Sequence, residues 1–105
     1  MYNKKAMNDL KKLLSSEFPD SFDRMILFGS RTENVENKYS DYDILVVLKT
    51  TYDWKLKRKI RNTSFAIDID YDILTDIKLI SNDELDSTKG ELPFIQNALS
   101  NGFVI

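Results

Sequence analysis

The chain has 105 residues, of which 42% are hydrophobic and 30% charged, and a formal net charge of −2 at pH 7. This length allows one domain, residues 1–105, with a real core, and it is too short for two. The sequence contains neither cysteine nor histidine, which excludes disulfide scaffolds, thiolate zinc sites and every histidine-containing triad. Any catalysis must therefore use carboxylates, lysine, arginine, hydroxyl groups and bound metal.

The overall charge and hydrophobicity also bear on location and partners. A net charge of −2 gives no general attraction to nucleic acid or to a membrane surface, so direct nucleic-acid binding is not expected. No apolar run approaches the ~20 residues of a membrane-spanning helix, and the N-terminus has no apolar block of signal-peptide length. We therefore expect a cytoplasmic protein.

The first half of the chain predicts a helix and then two strands. Residues 3–18 place apolar side chains at helical spacing, and the helix should end before Pro19. Residues 24–28 form a short apolar run that stops at Gly29, which is typical of a buried strand. A polar loop follows. Residues 42–48 give the strongest strand pattern, and the unbroken apolar stretch 44–48 predicts that both faces of this strand are covered.

The second half predicts a helix, a strand and a closing helix. Residues 53–69 are expected to be helical, with Trp54, Ile60 and the stretch 65–67 available for the core. In the predicted strand 73–80, Asp76 and Lys78 share a face with Leu74 and Ile80. Pro93 and Gly102 mark the start and the end of a last helix. The coarse order α-β-α-β-α indicates the α/β (α+β) class, with a small mixed β-sheet flanked by helices.

The first candidate site residues follow the strand 24–28. Gly29 has no Cβ, so the backbone can pass close to a ligand there. Ser30 and Arg31 can then offer a hydroxyl, amide N–H groups and a positive charge to phosphate oxygens. Taken alone, this glycine–serine pair is better explained as a plain tight turn, so its meaning depends on what lies next to it.

A pair of carboxylates begins the next strand. Asp41 and Asp43 are two residues apart, so their side chains point to the same side of the sheet. Two carboxylates held this close repel each other unless a cation lies between them. Magnesium takes hard oxygen ligands, commonly one or two carboxylates together with substrate phosphates. Taken alone, the pair fits a magnesium–phosphate site and a solvated strand edge about equally well.

A third carboxylate is expected from a neighbouring strand. Asp76 is the best candidate because it interrupts an apolar strand, where an unpaired charge is costly. Asp68, Asp70 and Asp72 are alternatives at the helix-to-strand junction. Lys78 could neutralise phosphate charge, but a simple pair with Asp76 on an exposed face is the better explanation.

A run of cations lies on the predicted second helix. Five of the seven residues from 55 to 61 are basic: Lys55, Lys57, Arg58, Lys59 and Arg61. Such a run is usually a solvated helix face, and a docking surface for an acidic partner is the sharper alternative.

Together these residues resemble a known signature. Gly29-Ser30, ten intervening residues and then Asp41-Tyr42-Asp43 at the start of an apolar strand look like the DNA polymerase β-like nucleotidyltransferase superfamily. More narrowly, the stretch 27–48 is similar to the minimal nucleotidyltransferases of the MntA type. The resemblance covers essentially the whole chain and implies the polymerase β-like nucleotidyltransferase fold.

The resemblance also implies a reaction and roles for residues. Gly29, Ser30 and Arg31 would bind the triphosphate of ATP, and Asp41, Asp43 and Asp76 would be the catalytic ligands of two Mg²⁺ ions. The acceptor hydroxyl would attack the α-phosphorus and pyrophosphate would leave. Family members commonly neutralise a HEPN-domain toxin, so an antitoxin that transfers AMP to its partner is the expected function.

Two alternative functions remain from the sequence. The family often continues Ala-Arg-Gly where this chain has Thr32-Glu33-Asn34, so a degenerate antitoxin that acts by contact alone is one of them. Nucleotidyl transfer to a small molecule is another, although a chain this short has no second domain to form an acceptor pocket. The open active-site face of a lone minimal domain would be completed by a partner or by a homodimer.

Overall fold

The computed structural model describes residues 2–29 and 41–105. Its elements, in chain order, are α1 (Lys4–Glu17), β1 (Phe22–Phe28), β2 (Tyr42–Leu48), α2 (Trp54–Tyr71), β3 (Thr75–Ser81), α3 (Asn82–Leu85), a 3₁₀ turn (Thr88–Glu91), α4 (Pro93–Asn101) and β4 (Phe103–Val104). The strands form one sheet in the order β3-β2-β1-β4. Strand β1 is antiparallel to both of its neighbours, and β2 is parallel to β3. The predicted mixed sheet flanked by helices is confirmed.

Strand β2 lies inside the sheet and is buried on both of its faces. Ile44, Val46 and Leu48 point into a core shared with α1 and α2. Leu45 and Val47 point into a second core that α4 closes on the other side of the sheet. All five side chains are fully buried, as the unbroken apolar stretch predicted. The sheet therefore has two covered faces, and the functional side chains on β2 must lie at its ends.

The two long helices are fixed by local caps. The side chain of Asn3 accepts a hydrogen bond from the Ala6 N–H at 3.0 Å, and α1 begins at the next residue, Lys4. The Asp53 carboxylate caps α2 by accepting from the Leu56 N–H at 2.9 Å. Helix α2 ends two residues later than predicted, where Asp72 adopts a left-handed conformation with φ of 52°.

The core face of α2 was only partly predicted. Ile60 and Ile67 are buried against the sheet, as expected, but Trp54 is 67% exposed and Phe65 is 62% exposed. The core side of α2 consists of Ile60, Thr63, Ser64 and Ile67, and the two aromatic residues fall on the opposite side. Hydrophobicity alone therefore gave the wrong orientation for Trp54 and Phe65, because helical phase decides which residues face the sheet.

The coarse order α-β-α-β-α was incomplete, because it did not include the short elements α3 and β4. Helix α3 is a single turn set by a capping box between Ser81 and Glu84. Strand β4 has two residues, too few for an alternating pattern to be visible. Within residues 2–29 and 41–105, no helix is long and apolar enough to cross a membrane.

Candidate nucleotide and metal site

The end of β1 lies directly against the side chain that begins β2. Gly29 follows β1 with φ of +79°, a conformation that side-chain-bearing residues rarely adopt. A Cβ built on Gly29 would lie 3.1 Å from Asp43 Cγ and would overlap Asp43 Oδ2. Glycine is thus required twice at this position, for its backbone conformation and for the space that the Asp43 carboxylate occupies.

Two of the three predicted carboxylates lie side by side on neighbouring strands. In the parallel pairing of β2 with β3, Asp43 is in register with Asp76. Paired residues of adjacent strands point to the same face, with the strands about 4.8 Å apart. That face is the one covered by α4, since Leu45, Val47 and Ile80 continue it. Asp41 precedes β2 and is exposed. Three carboxylates therefore lie near the end of the sheet at which β2 and β3 begin.

The electrostatics of Asp43 reflect this crowding. Burial raises the pKa of the Asp43 carboxyl above its ordinary value of 3.8, and the negative charges of Asp76 and Asp41 raise it further. The Lys78 ammonium opposes the increase. Asp43 is therefore a carboxylate whose ionised form is disfavoured by the folded protein alone, and a bound cation would relieve this cost.

Lys78 supplies the positive charge of the described site. Its Nζ lies 3.3 Å from Asp76 Oδ2, and both side chains are partly exposed. The same Nζ lies 5.6 Å from the centre of the Phe94 ring in the first turn of α4. Phe94 was not predicted as a neighbour of the site, and no sequence signal could have indicated it, because only the packing of α4 on the sheet brings it there.

Replacing Lys78 by methionine is expected to raise the pKa of the Asp43 carboxyl further, because the ammonium that lowers it is removed. Carboxyl chemical shifts followed by NMR across a pH titration would measure the change. Lys89→Met is the matched control, since Lys89 lies 3.1 Å from Glu84 and lowers the pKa of that carboxyl. The control should raise the pKa of Glu84 and leave Asp43 unchanged. An unchanged Asp43 pKa in Lys78→Met would contradict this account of the site.

The alternative third carboxylates are directed elsewhere. The Thr75 hydroxyl donates a hydrogen bond to Asp68 Oδ1 at 2.8 Å, and Thr75 points away from the face of Asp76 by strand alternation. Burial raises the pKa of Asp68, and the charge of Asp41 adds to this. Asp70 and Asp72 are exposed on the last turn of α2 and at its C-cap. The structure thus brings Asp76, and not these three residues, beside Asp43.

The donor set fits a hard divalent cation. Asp41, Asp43 and Asp76 offer only carboxylate oxygens, and magnesium is commonly completed by water and substrate phosphates. In residues 2–29 and 41–105, no three acidic side chains lie close enough together to form a metal cluster by themselves. These carboxylates could therefore hold the ion only together with other ligands, such as water and substrate phosphates. Ser30 and Arg31, predicted to bind phosphate, and the stretch 32–34 lie outside the described residues.

Comparison with known proteins gives one family. Residues 7–95 match the model of a nucleotidyltransferase domain. The chain is also 35% identical, over 68 residues, to a provisionally named protein adenylyltransferase of Methanocaldococcus jannaschii. That match covers 65% of this chain and 69% of the relative. The family match spans Gly29 and the carboxylates at 41, 43 and 76.

Solved structures with the same fold are toxin–antitoxin proteins. The toxin–antitoxin pair MntA–HepT superimposes with a TM-score of 0.60 at 22% identity, over 97% of this chain and 70% of the matched chain. A toxin–antitoxin structure with AMP-PNP gives a TM-score of 0.63 at 24% identity, over 92% of this chain and 69% of the matched chain. A tri-AMPylated Shewanella oneidensis HEPN toxin in complex with MNT antitoxin gives a TM-score of 0.59 at 20% identity, over 96% of this chain and 69% of the matched chain. At these identities the likeness establishes the fold.

Proposed function

The chain belongs to the nucleotidyltransferase domain family, and on that premise we propose that it transfers AMP from ATP to a hydroxyl group of a partner protein, with magnesium as cofactor. The partner we propose is a HEPN-domain toxin, which the transfer neutralises. The observation that carries the chemistry is the register of Asp43 with Asp76 beside Gly29. The need for ATP favours a cytoplasmic location.

The choice of acceptor has its own support. The relative that shares 35% identity is provisionally named a protein adenylyltransferase. One solved structure of the same fold contains AMP-PNP, and another pairs an MNT antitoxin with an AMPylated HEPN toxin. These properties belong to those proteins, and they favour ATP as the donor and a toxin side chain as the acceptor.

Each residue of the site has a proposed part in the reaction. Asp41, Asp43 and Asp76 would hold two magnesium ions, whose chemistry when bound is to neutralise charge around the α-phosphate. The absent Cβ of Gly29 lets the triphosphate approach the backbone, and Ser30 and Arg31 would bind its oxygens. The Lys78 ammonium orients the Asp76 carboxylate by the 3.3 Å contact.

The transfer itself is an in-line displacement at phosphorus. The acceptor oxygen forms a bond to the α-phosphorus, the bond from that phosphorus to the bridging oxygen of the β-phosphate breaks, and pyrophosphate leaves. The proton of the acceptor hydroxyl passes to a carboxylate, for which we propose Asp76, because it lies next to Asp43 on the same face. No histidine is required, in agreement with its absence from the sequence.

The test is transfer of label to the purified HEPN-domain protein encoded in the same genome. With ATP labelled at the α-phosphorus and magnesium present, the partner should become labelled, with a mass increase of one AMP. ATP labelled at the γ-phosphorus is the control, because a kinase would transfer that label instead. Chelation of magnesium by EDTA should stop the reaction. Absence of any α-label on the partner would contradict the proposed activity.

Two other functions remain to be distinguished by the same assay. Neutralisation of the toxin with no AMP transfer would indicate an antitoxin that acts by contact alone, which the unusual Thr32-Glu33-Asn34 segment motivates. Magnesium-dependent ATP turnover on a small hydroxyl compound, with the partner unlabelled, would indicate a small-molecule transferase.

A further inference from the structure

The outer side of α2 carries a stripe that the proposed reaction does not use. The stripe consists of Trp54, Arg58, Arg61, Phe65 and Ile69. Successive members are three or four residues apart, so they line up on one side of the helix. The buried residues of α2, among them Ile60 and Ile67, occupy the opposite side. The stripe therefore points directly away from the protein core.

The apolar members of this outer stripe are unusually exposed for their size. Ile69 is 70% exposed, and Trp54 and Phe65 are exposed to a similar extent. Single exposed apolar residues are ordinary, but several aligned on one helix face and surrounded by charge mark an interaction surface. Tryptophan and arginine are also the residues most enriched among the strongest contributors to protein interfaces.

The charge around the stripe indicates what kind of surface would cover it. Lys55, Lys57, Arg58, Lys59 and Arg61 all lie on the first half of α2. Among the described residues, salt bridges are formed by Arg24, Lys78 and Lys89, and by none of these five cations. A chain with a net charge of −2 thus places five cations on two turns of one helix, and none of them forms a salt bridge with residues 2–29 or 41–105.

We propose that this face of α2 is the docking surface for an acidic protein partner, one that presents carboxylates around apolar side chains. A protein fits better than RNA because Ile69 extends the stripe. In addition, Asp70 in the last turn of α2 and Asp72 at its C-cap would repel phosphates. The inference rests on the proposed function, since the partner is the protein that accepts AMP.

The position of α2 gives docking a defined role. Helix α2 packs with α1 on one face of the sheet, whereas Asp43 and Asp76 lie on the face closed by α4. A partner bound to α2 would leave the nucleotide site open and would hold its acceptor hydroxyl at a high effective concentration. Loss of docking should therefore raise the KM for the partner and leave kcat and ATP affinity nearly unchanged.

The test measures binding of the purified HEPN-domain protein by calorimetry. Trp54→Ala/Phe65→Ala and Arg58→Glu/Arg61→Glu are each expected to weaken binding at least about tenfold. Lys11→Glu/Lys12→Glu, on the exposed side of α1, and Leu99→Ala, on α4, are the matched controls and should stay within about twofold. Binding of ATP with magnesium, measured on every variant, should be unchanged and shows that each variant is folded.

The possible outcomes separate this inference from the proposed function. Full binding by both α2 variants, with AMP transfer intact, would overturn the docking surface and leave the function standing. Absence of any binding by the wild type would overturn both. An RNA mobility shift that Arg58→Glu/Arg61→Glu abolishes, with protein binding unchanged, would assign the face to RNA. Self-association in sedimentation that Trp54→Ala/Phe65→Ala abolishes, again with partner binding unchanged, would assign it to a second copy of the chain.

Discussion

Asp43→Asn is expected to reduce AMP transfer by about 1,000-fold or more, because such losses follow removal of a group that acts directly on the reacting atoms. Asn keeps the size of the side chain, so its contact with Gly29 is preserved. What it removes is the negative charge between Asp41 and Asp76, which the proposed reaction needs for its metal ions. Partner binding should stay within about twofold of the wild type.

The same substitution is expected to stabilise the folded protein at neutral pH. The pKa of Asp43 is raised in the folded state, so the unfolded chain loses this proton first as the pH rises from about 3.8. The free energy of unfolding therefore falls as the pH rises, until the pH passes the raised pKa of the folded state. Above that pH the stability stays lower by the same amount. Asn does not titrate, so Asp43→Asn should raise the Tm at pH 7 by at most about 5 °C, since water screens part of the repulsion.

Thermal unfolding at pH 7 and near pH 3 measures this effect. The Tm difference between Asp43→Asn and the wild type should shrink at the lower pH, where Asp43 is protonated in both states. Asp20→Asn, at an exposed carboxylate in the turn after α1, is the matched control and should show neither gain in Tm nor loss of transfer. A lower Tm at pH 7 for Asp43→Asn would show that the carboxylate supports the fold, contrary to the crowding described above.

Gly29→Ala is expected to destabilise the protein by about 2–4 kcal/mol and to abolish magnesium-dependent ATP binding. One part of the cost is the positive φ of Gly29, which is worth about 1–2 kcal/mol for an alanine. The other part is the overlap between the new Cβ and the Asp43 carboxylate. Because Asp43 is held on β2 and Gly29 directly follows β1, the Asp43 carboxylate must move away from Gly29 and leave its place in the site.

A double-mutant cycle separates the two costs. In the Asp43→Ala background the overlapping carboxylate is gone, so Gly29→Ala should cost only the backbone strain of about 1–2 kcal/mol. Denaturant unfolding of the four proteins gives the free energies of unfolding. Equal costs in the two backgrounds would show that the close approach of Gly29 and Asp43 is not what requires glycine.

Local patterns predicted much of this protein. The limits of β2 were predicted to the residue, since an unbroken apolar stretch bounded by polar residues leaves a buried strand little freedom of position. The last helix was expected to start at Pro93 and to end before Gly102, as it does. The aspartates at 41 and 43, and Asp76 as the charge inside an apolar strand, were chosen as a candidate site from the same kind of local signal.

Other features were decided only by tertiary structure. The register of Asp43 with Asp76 depends on the pairing of strands more than 30 residues apart, which no local periodicity encodes. The same is true of Phe94 beside Lys78, and of the two-residue strand β4 at the sheet edge. The outward orientation of Trp54 and Phe65 depends on which side of α2 meets the sheet. The sequence by itself determined approximately where the longer strands and helices lie along the chain, because those limits depend on neighbouring residues. Tertiary packing decided which residues meet, because such contacts depend on the balance of burial over the whole fold.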